Sequence, residues 1–201
     1  MDPYSSIYAN WEKFWGRGGK YTPLGWYITS RKLSHIRHLL NGLDVTSCID
    51  VGCGSGRTLR LLSELTGNAV GLDIAPTAVA GCRARGLRAI HDNLLTHSGS
   101  YDLVFSDGLI EHFEDYHPFI AALCRLSRRY IMIVQVDHSI PVIKLLSRIE
   151  QWVKHSMNVP EYPHQISSFI EEFGRYSFLP VDRGKLLWGG IKVLLFSKTT
   201  T

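Results

Sequence analysis

The chain has 201 residues, a formal net charge of +4, 45% hydrophobic residues and 20% charged residues. This length suits one α/β domain with a large buried core and is too short for two full domains. The composition is that of a folded globular protein rather than a disordered one. No apolar run reaches the roughly 20 residues of a membrane-spanning helix. Residues 1–4 carry no basic region followed by an apolar segment, so we expect no secretory signal.

The cysteines and the basic residues indicate a cytoplasmic protein that does not bind nucleic acid. The four cysteines show no Cys-x-x-Cys spacing, so we expect reduced, structural thiols. Lysines and arginines are scattered along the chain, without a long basic stripe or a recognisable nucleic-acid-binding module. The mild positive charge is compatible with an anionic small molecule.

Residues 1–28 are rich in aromatic side chains. Tyr8, Trp11 and Trp15 recur at helical spacing, which predicts a short amphipathic helix that folds back onto the core. Two interpretations stay open for this segment. It either contributes hydrophobic packing alone or forms a cover over a functional site, where Tyr8, Trp11 and Tyr21 would contact a substrate.

Predicted helices and strands then alternate along the chain. The apolar patterns predict helices over 30–40, 58–65, 76–85 and 111–127, and strands over 47–51, 69–72, 87–90 and 130–136, with a further strand and its following loop within 101–108. Pro76 would stand in the first turn of its helix, where proline is well tolerated. Such alternation is typical of a parallel sheet that is covered by helices on both faces.

The pattern changes after the strand that ends at residue 136. Residues 140–157 have one apolar face and a basic opposite face, which predicts an inserted amphipathic helix within a lid insertion over 138–162. The alternatives for this helix are a position on a membrane surface and a dimer contact. Residues 159–163 predict a rigid turn and residues 164–173 a further helix, before two final strands over 176–181 and 191–197.

The most informative motif lies between the first strand and the next helix. Residues 49–57 read Ile-Asp-Val-Gly-Cys-Gly-Ser-Gly-Arg, and the alternating glycines remove side chains that would keep a ligand away from the main chain. A dinucleotide fingerprint would need glycine where Arg57 stands. The acid at Asp50 complements a cationic ligand and would repel a pyrophosphate.

The pattern Asp50-x-Gly52-x-Gly54-x-Gly56 resembles motif I of the class I S-adenosylmethionine (SAM) dependent methyltransferases. Three further landmarks follow in that family's order, so the resemblance covers residues 30–136. Asp73, at the end of a strand, is the candidate for the two ribose hydroxyls, and the resemblance extends to residues 91–94 and 101–108.

The resemblance implies a fold, a cofactor and a set of binding residues. The expected fold is α/β, a Rossmann-like seven-stranded, mostly parallel sheet with helices on both faces and an antiparallel last strand, forming a single domain over 1–201. SAM would be the cofactor and S-adenosylhomocysteine (SAH) the product. Ile74 would cover one face of the adenine, and Asp92 would accept a hydrogen bond from the adenine amino group. The expected cofactor-binding residues are Asp50, Gly52, Cys53, Gly54, Gly56, Asp73, Ile74, Asp92, Asn93, Leu94, Asp107 and Gly108.

The resemblance also suggests a base for acceptors that must lose a proton. Glu111 and His112 match the Glu-His pair that many small-molecule methyltransferases carry after strand 4, and His112 can accept a proton near neutral pH. Relatives with Glu-x-x-Glu-His hold a metal here, but Gly108 replaces the first Glu, so we expect no metal site. Asp137 and His138 are further candidates for substrate contacts.

We therefore expect a cytoplasmic SAM-dependent methyltransferase that transfers a methyl group by in-line displacement to oxygen, nitrogen or carbon of a small molecule. Residues 106–109 lack the Asn/Asp-Pro-Pro-Tyr motif of nucleobase and glutamine amino methyltransferases. One alternative is a non-catalytic SAM-binding partner of a second subunit. Another is a membrane-surface enzyme that acts on a lipid or quinone precursor. A monomer and a homodimer are both compatible with the sequence.

Overall fold

The computed structural model describes residues 3–17, 23–137, 140, 160–186 and 189–199. Its strands are β1 (Cys48–Val51), β2 (Ala69–Asp73), β3 (Ala89–His91), β4 (Tyr101–Asp107), β5 (Ser127–Val136), β6 (Phe178–Leu186) and β7 (Ile191–Lys198). They form one sheet in the order β3-β2-β1-β4-β5-β7-β6. β7 is antiparallel to both of its neighbours, and every other adjacent pair is parallel. The predicted seven-stranded, mostly parallel sheet with an antiparallel last strand is confirmed.

Helices cover both faces of this sheet, because the strands alternate their apolar side chains between two cores. The described helices are α1 (Ser5–Gly16), α2 (Pro23–Leu40), α3 (Arg57–Thr66), α4 (Pro76–Ala84), α5 (His117–Leu126) and α6 (Ile166–Arg175). Val104 of β4 packs with α5 and α6 on one face, whereas Leu103 and Phe105 pack with α2, α3 and α4 on the other.

The single helix predicted over 111–127 is wrong. A 3-10 turn spans Ile110–His112, Phe113 is extended, and α5 begins only at His117. Pro118 lacks an N–H, so it fits the first turn of a helix and not its interior. The extended Phe113 lets its ring stack on that of Phe119, with the ring centroids 3.6 Å apart.

Several predictions concern residues that the structure does not describe. Residues 138–139 and 141–159 lie outside the described residues, and with them lies almost all of the predicted helix over 140–157. Tyr21 and His138 are outside the described residues too. No helix among the described residues is long and apolar enough to cross a membrane.

The parallel register brings the ends of several strands together. Val51 pairs with Leu72 on one side and with Ser106 on the other, and Asp73 pairs with His91. The residues that follow these positions therefore meet at the carboxyl edge of the sheet, which is where open α/β sheets bind their ligands.

Candidate active site

A cavity of about 490 Å³ lies at the carboxyl ends of β1, β2 and β4. Its wall combines the turn after β1, the acidic residues that follow the strands, and aromatic side chains of α1. Every cofactor-binding residue expected from the sequence lines this cavity except Gly56. These lining residues are Asp50, Gly52, Cys53, Gly54, Asp73, Ile74, Asp92, Asn93, Leu94, Asp107 and Gly108.

The glycines of the turn have two different surroundings. Gly54 has a φ of +46° and faces the cavity. Gly56 has a φ of +72° and precedes α3, where an added Cβ would lie 2.8 Å from Cys82 Sγ and from Leu87 Cδ1. Gly56 thus allows the turn to pack closely against α4, and the same thiol of Cys82 donates a hydrogen bond to the carbonyl oxygen of Gly54.

Asp73 joins the glycine turn to the end of β2. One carboxylate oxygen accepts the N–H of Gly54 at 2.8 Å and the other accepts the N–H of Ala75 at 2.9 Å. Burial raises the pKa of Asp73, while these backbone hydrogen bonds oppose the rise. The side chain lines the cavity with its orientation already set by the main chain.

Asp50 brings a buried carboxyl group to the cavity. Its side chain is almost fully buried, and its Oδ2 atom has no hydrogen-bond partner among the described residues. Burial raises the pKa of Asp50 well above its ordinary value, and the nearby carboxylate of Asp107 adds to this. A buried acceptor in this state gains free energy when a donor or a cation binds beside it.

Lys32 of α2 forms an ion pair with Asp107 across the cavity wall. Both side chains are largely buried, and both line the cavity. The positive charge of Lys32 also lowers the pKa of Asp50 against the effect of burial. Sequence reasoning missed Lys32, because a lysine on a flanking helix looks like any solvated residue when its partner is 75 positions away.

The aromatic residues of α1 form the remaining wall. Tyr8, Trp11, Phe14 and Trp15 all line the cavity. Glu12, on the same helix, accepts a hydrogen bond from the N–H of Thr77 at 3.1 Å and another from its hydroxyl. The first turn of α4 therefore holds α1 in place over the cavity.

His112 and Glu111 are both buried, and neither lines the cavity. The imidazole Nδ1 of His112 lies 2.7 Å from the carbonyl oxygen of Pro160, and its ring meets Trp11 edge-on at 4.8 Å between centroids. Since a carbonyl only accepts, Nδ1 carries the proton, and a neutral ring keeps Nε2 as its acceptor. His112 thus contacts Trp11, which itself lines the cavity.

The structure does not bring Asp137 into the cavity. Its carboxylate lies 3.2 Å from Nζ of Lys192, and both side chains are mostly buried. Its main-chain N–H donates to the carbonyl oxygen of Gly190. Within the described part of the chain, no group of three His, Cys, Asp or Glu residues could hold a metal ion.

Known sequences similar to this chain are methyltransferases. Residues 49–134 match the family model of the methyltransferase domain. The ubiquinone biosynthesis O-methyltransferase of Bartonella quintana is 24% identical over 146 residues, which cover 63% of this chain and 58% of that protein. The enzyme of the same name from Methylococcus capsulatus is 33% identical over 90 residues, which cover 40% and 38% of the two chains. The chain thus matches between 38% and 58% of the length of these two curated relatives.

Solved structures match over almost the whole chain. Magnesium protoporphyrin IX methyltransferase of Synechocystis PCC 6803, crystallised with SAH, has a TM-score of 0.75 at 17% identity, covering 97% of this chain and 95% of that one. A SAM-dependent methyltransferase of Thermotoga maritima has a TM-score of 0.76 at 13% identity, covering 96% and 100%. At these identities the likeness concerns the fold. Residues 49–134, which include the motif at 50–56, are thus similar to the methyltransferase domain.

Proposed function

We propose that this chain binds SAM in the cavity and transfers its methyl group to a small-molecule acceptor. The observation that carries the proposal is the buried Asp50, whose Oδ2 atom has no partner among the described residues where the glycine turn opens into the cavity. A ligand with an ammonium group supplies the donor and the charge that this carboxyl needs. The names of the curated relatives and the SAH-bound neighbour support the same function.

The lining residues suit each part of SAM. Asp50 would hold the ammonium group, and Lys32 would hold the carboxylate in exchange for part of its contact with Asp107. Asp73 would take the ribose hydroxyls, since its carboxylate is an acceptor that lines the cavity and is oriented by the main chain. Asp92 would accept a hydrogen bond from the amino group of the adenine. Ile74 and Leu94 would contact the adenine ring.

When bound, SAM supplies a methyl group that its sulfonium already activates. The protein then has to bind, to orient and to exclude water. The rings of Tyr8, Trp11, Phe14 and Trp15 line the cavity, and their π faces attract a cation. An acceptor that enters beside these rings is held against the methyl group in a partly dry space, where alignment supplies most of the rate.

His112 is the base that we propose for acceptors that carry a proton. The carbonyl of Pro160 fixes the Nδ1–H tautomer, so Nε2 is the atom that accepts. A positioned imidazole contributes about 10²- to 10⁴-fold to such a step. We also propose a cytoplasmic location, because all four cysteines are free thiols.

A second candidate is a methyltransferase that needs a partner subunit. The methyltransferase in complex with the Haloferax volcanii activator Trm112 has a TM-score of 0.70 at 14% identity, covering 94% of this chain and 98% of that one. In this case the chain alone would bind SAM and show no turnover. Addition of a candidate activator would then restore activity.

Thermal unfolding with SAM, SAH and NAD in parallel tests the proposal. A ligand at 100 times its dissociation constant stabilises the folded state by about 2.7 kcal/mol, which raises the midpoint by several degrees. We expect a shift with SAM and SAH and none with NAD. Release of SAH from SAM in the presence of pooled small phenols, amines and acids then identifies the acceptor. A larger shift with NAD, or none with the adenosyl ligands, would contradict SAM binding.

A further inference from the structure

A chain of three side chains runs from Tyr101, at the start of β4, through His97 to Asp92 at the cavity. Nδ1 of His97 lies 2.8 Å from Oδ2 of Asp92, and Nε2 lies 3.3 Å from the hydroxyl of Tyr101. The imidazole and the phenol ring are nearly parallel, with centroids 6.5 Å apart. Neither His97 nor Tyr101 lines the cavity, whereas Asp92 does.

The direction of these hydrogen bonds follows from the chemistry of Asp92. The hydrogen bond from His97 lowers the pKa of Asp92, so its carboxylate is ionised and only accepts. Nδ1 of His97 must therefore donate to Asp92. In the neutral ring Nε2 then accepts from the hydroxyl of Tyr101, so all three groups are satisfied in one orientation.

His97 is itself held rigidly. Its side chain is 9% exposed, its N–H donates to the carbonyl oxygen of Asn93, and Arg125 of α5 donates to its carbonyl oxygen at 2.6 Å. The side chain of Asp92, in contrast, is 40% exposed. A buried and fixed donor thus sets the angle of a carboxylate that borders the cavity.

The second oxygen of Asp92 is oriented as well. Oδ1 accepts the N–H of Asn93 at 2.8 Å, so both carboxylate oxygens have a protein partner. Each oxygen keeps one further lone pair, and those lone pairs point in directions that the two bonds have already fixed. Such a group can distinguish a donor from a C–H at the same position.

We infer that His97 is a positioning residue for base selection: it holds Asp92 so that the carboxylate selects a purine bearing a 6-amino group. The inference rests on the proposed function, since it assumes that the adenine of SAM lies beside Asp92. It adds a role for a residue outside the cavity wall. Without the hydrogen bond from His97, the Asp92 carboxylate rotates and no longer accepts a hydrogen bond from the 6-amino group.

Two variants of His97 separate positioning from packing. His97→Phe keeps a flat ring beside Tyr101 and removes both ring nitrogens, whereas His97→Asn places an amide N–H near the position of Nδ1. The dissociation constants of SAH and of its analogue without the 6-amino group are measured for each variant by calorimetry. We expect the wild type to prefer SAH by about tenfold or more. His97→Phe should lose most of this preference and His97→Asn should keep it.

Tyr101→Phe is a third variant, which leaves His97 in place and removes the far end of the hydrogen-bonded chain. It should lower the preference by about two- to threefold, because the ring loses one of its two orienting bonds. This readout remains if His97→Phe fails to fold. An unchanged ratio of the two affinities in His97→Phe and Tyr101→Phe would show that His97 only packs. Failure of the wild type to bind SAH at all would instead contradict the proposed function.

Discussion

The indole of Trp15 lies directly against Gly54, so close that a Cβ added to Gly54 would be 2.4 Å from Cζ2 of the ring. Sequence reasoning expects a ligand to approach the backbone at this glycine. In the structure, a side chain from α1 takes part of that space. The N-terminal helix therefore packs against the face of the glycine turn at which the sequence predicts a ligand.

Gly54→Ala is expected to destabilise the fold for two separable reasons. A φ of +46° costs a residue with a Cβ about 1 kcal/mol, and the contact with Trp15 adds about 1–3 kcal/mol. In a Trp15→Ala background only the backbone cost of about 1 kcal/mol should remain. Urea unfolding of the two single variants and the double variant measures this coupling. Equal losses in both backgrounds would contradict the contact.

Asp50→Asn should stabilise the free protein relative to the wild type as the pH rises toward neutrality, and should weaken SAH binding. Burial raises the pKa of Asp50 in the folded state, so the wild type gains stability below the ordinary pKa of an aspartate and loses it as the pH rises through the folded pKa. The asparagine variant cannot lose a proton and does not show this decline.

Urea unfolding of both proteins at pH 5, 6 and 7 tests this sign, because the stability difference should increase with pH. Calorimetry should show a weaker affinity of Asp50→Asn for SAH, by about thirtyfold, because a buried charge no longer faces the ammonium group. A stability difference that does not depend on pH would mean that Asp50 does not titrate in this range.

Lys32→Met should weaken binding of the amino-acid end of the cofactor and leave binding of its adenosine end unchanged. The variant lacks the charge that we assign to the carboxylate of SAM, so SAH should bind about tenfold more weakly. 5′-Methylthioadenosine has no amino-acid carboxylate, and its affinity should change little. Lys32→Arg is the matched control and should retain most of the SAH affinity. An equal loss of affinity for both ligands would mean that Lys32 only holds Asp107 in place and does not contact the carboxylate of SAM.

His112 and His164 offer a matched pair for the role of the base. Residues 112–113 and 160–164 are joined by two hydrogen bonds. His112 donates to the carbonyl oxygen of Pro160, and His164 donates to the carbonyl oxygen of Phe113. His112→Ala should lower kcat about 100-fold or more for an acceptor that loses a proton, with SAH affinity retained. His164→Ala should affect mainly stability. Similar losses of kcat in both variants would point to a structural role for His112.

The sequence allowed prediction of the sheet and of most of the cavity floor, because these depend on local patterns. A glycine turn needs its glycines at fixed spacing, and an acid such as Asp73 directly follows its strand. Lys32 and Trp15 were not predicted as site residues, since they reach the cavity through contacts with residues 75 and 39 positions away. The break after His112 was missed although Pro118, which fits the first turn of a helix and not its interior, marks the start of α5 in the sequence.

The residues on either side of 138–159 form main-chain hydrogen bonds with the rest of the fold. Asp137 is bonded to Gly190 at one end, and at the other the N–H of Tyr162 donates to the carbonyl of Glu111. Asp137 and Tyr162 are therefore each fixed to the scaffold by a main-chain hydrogen bond of their own, and neither position depends on the residues between them.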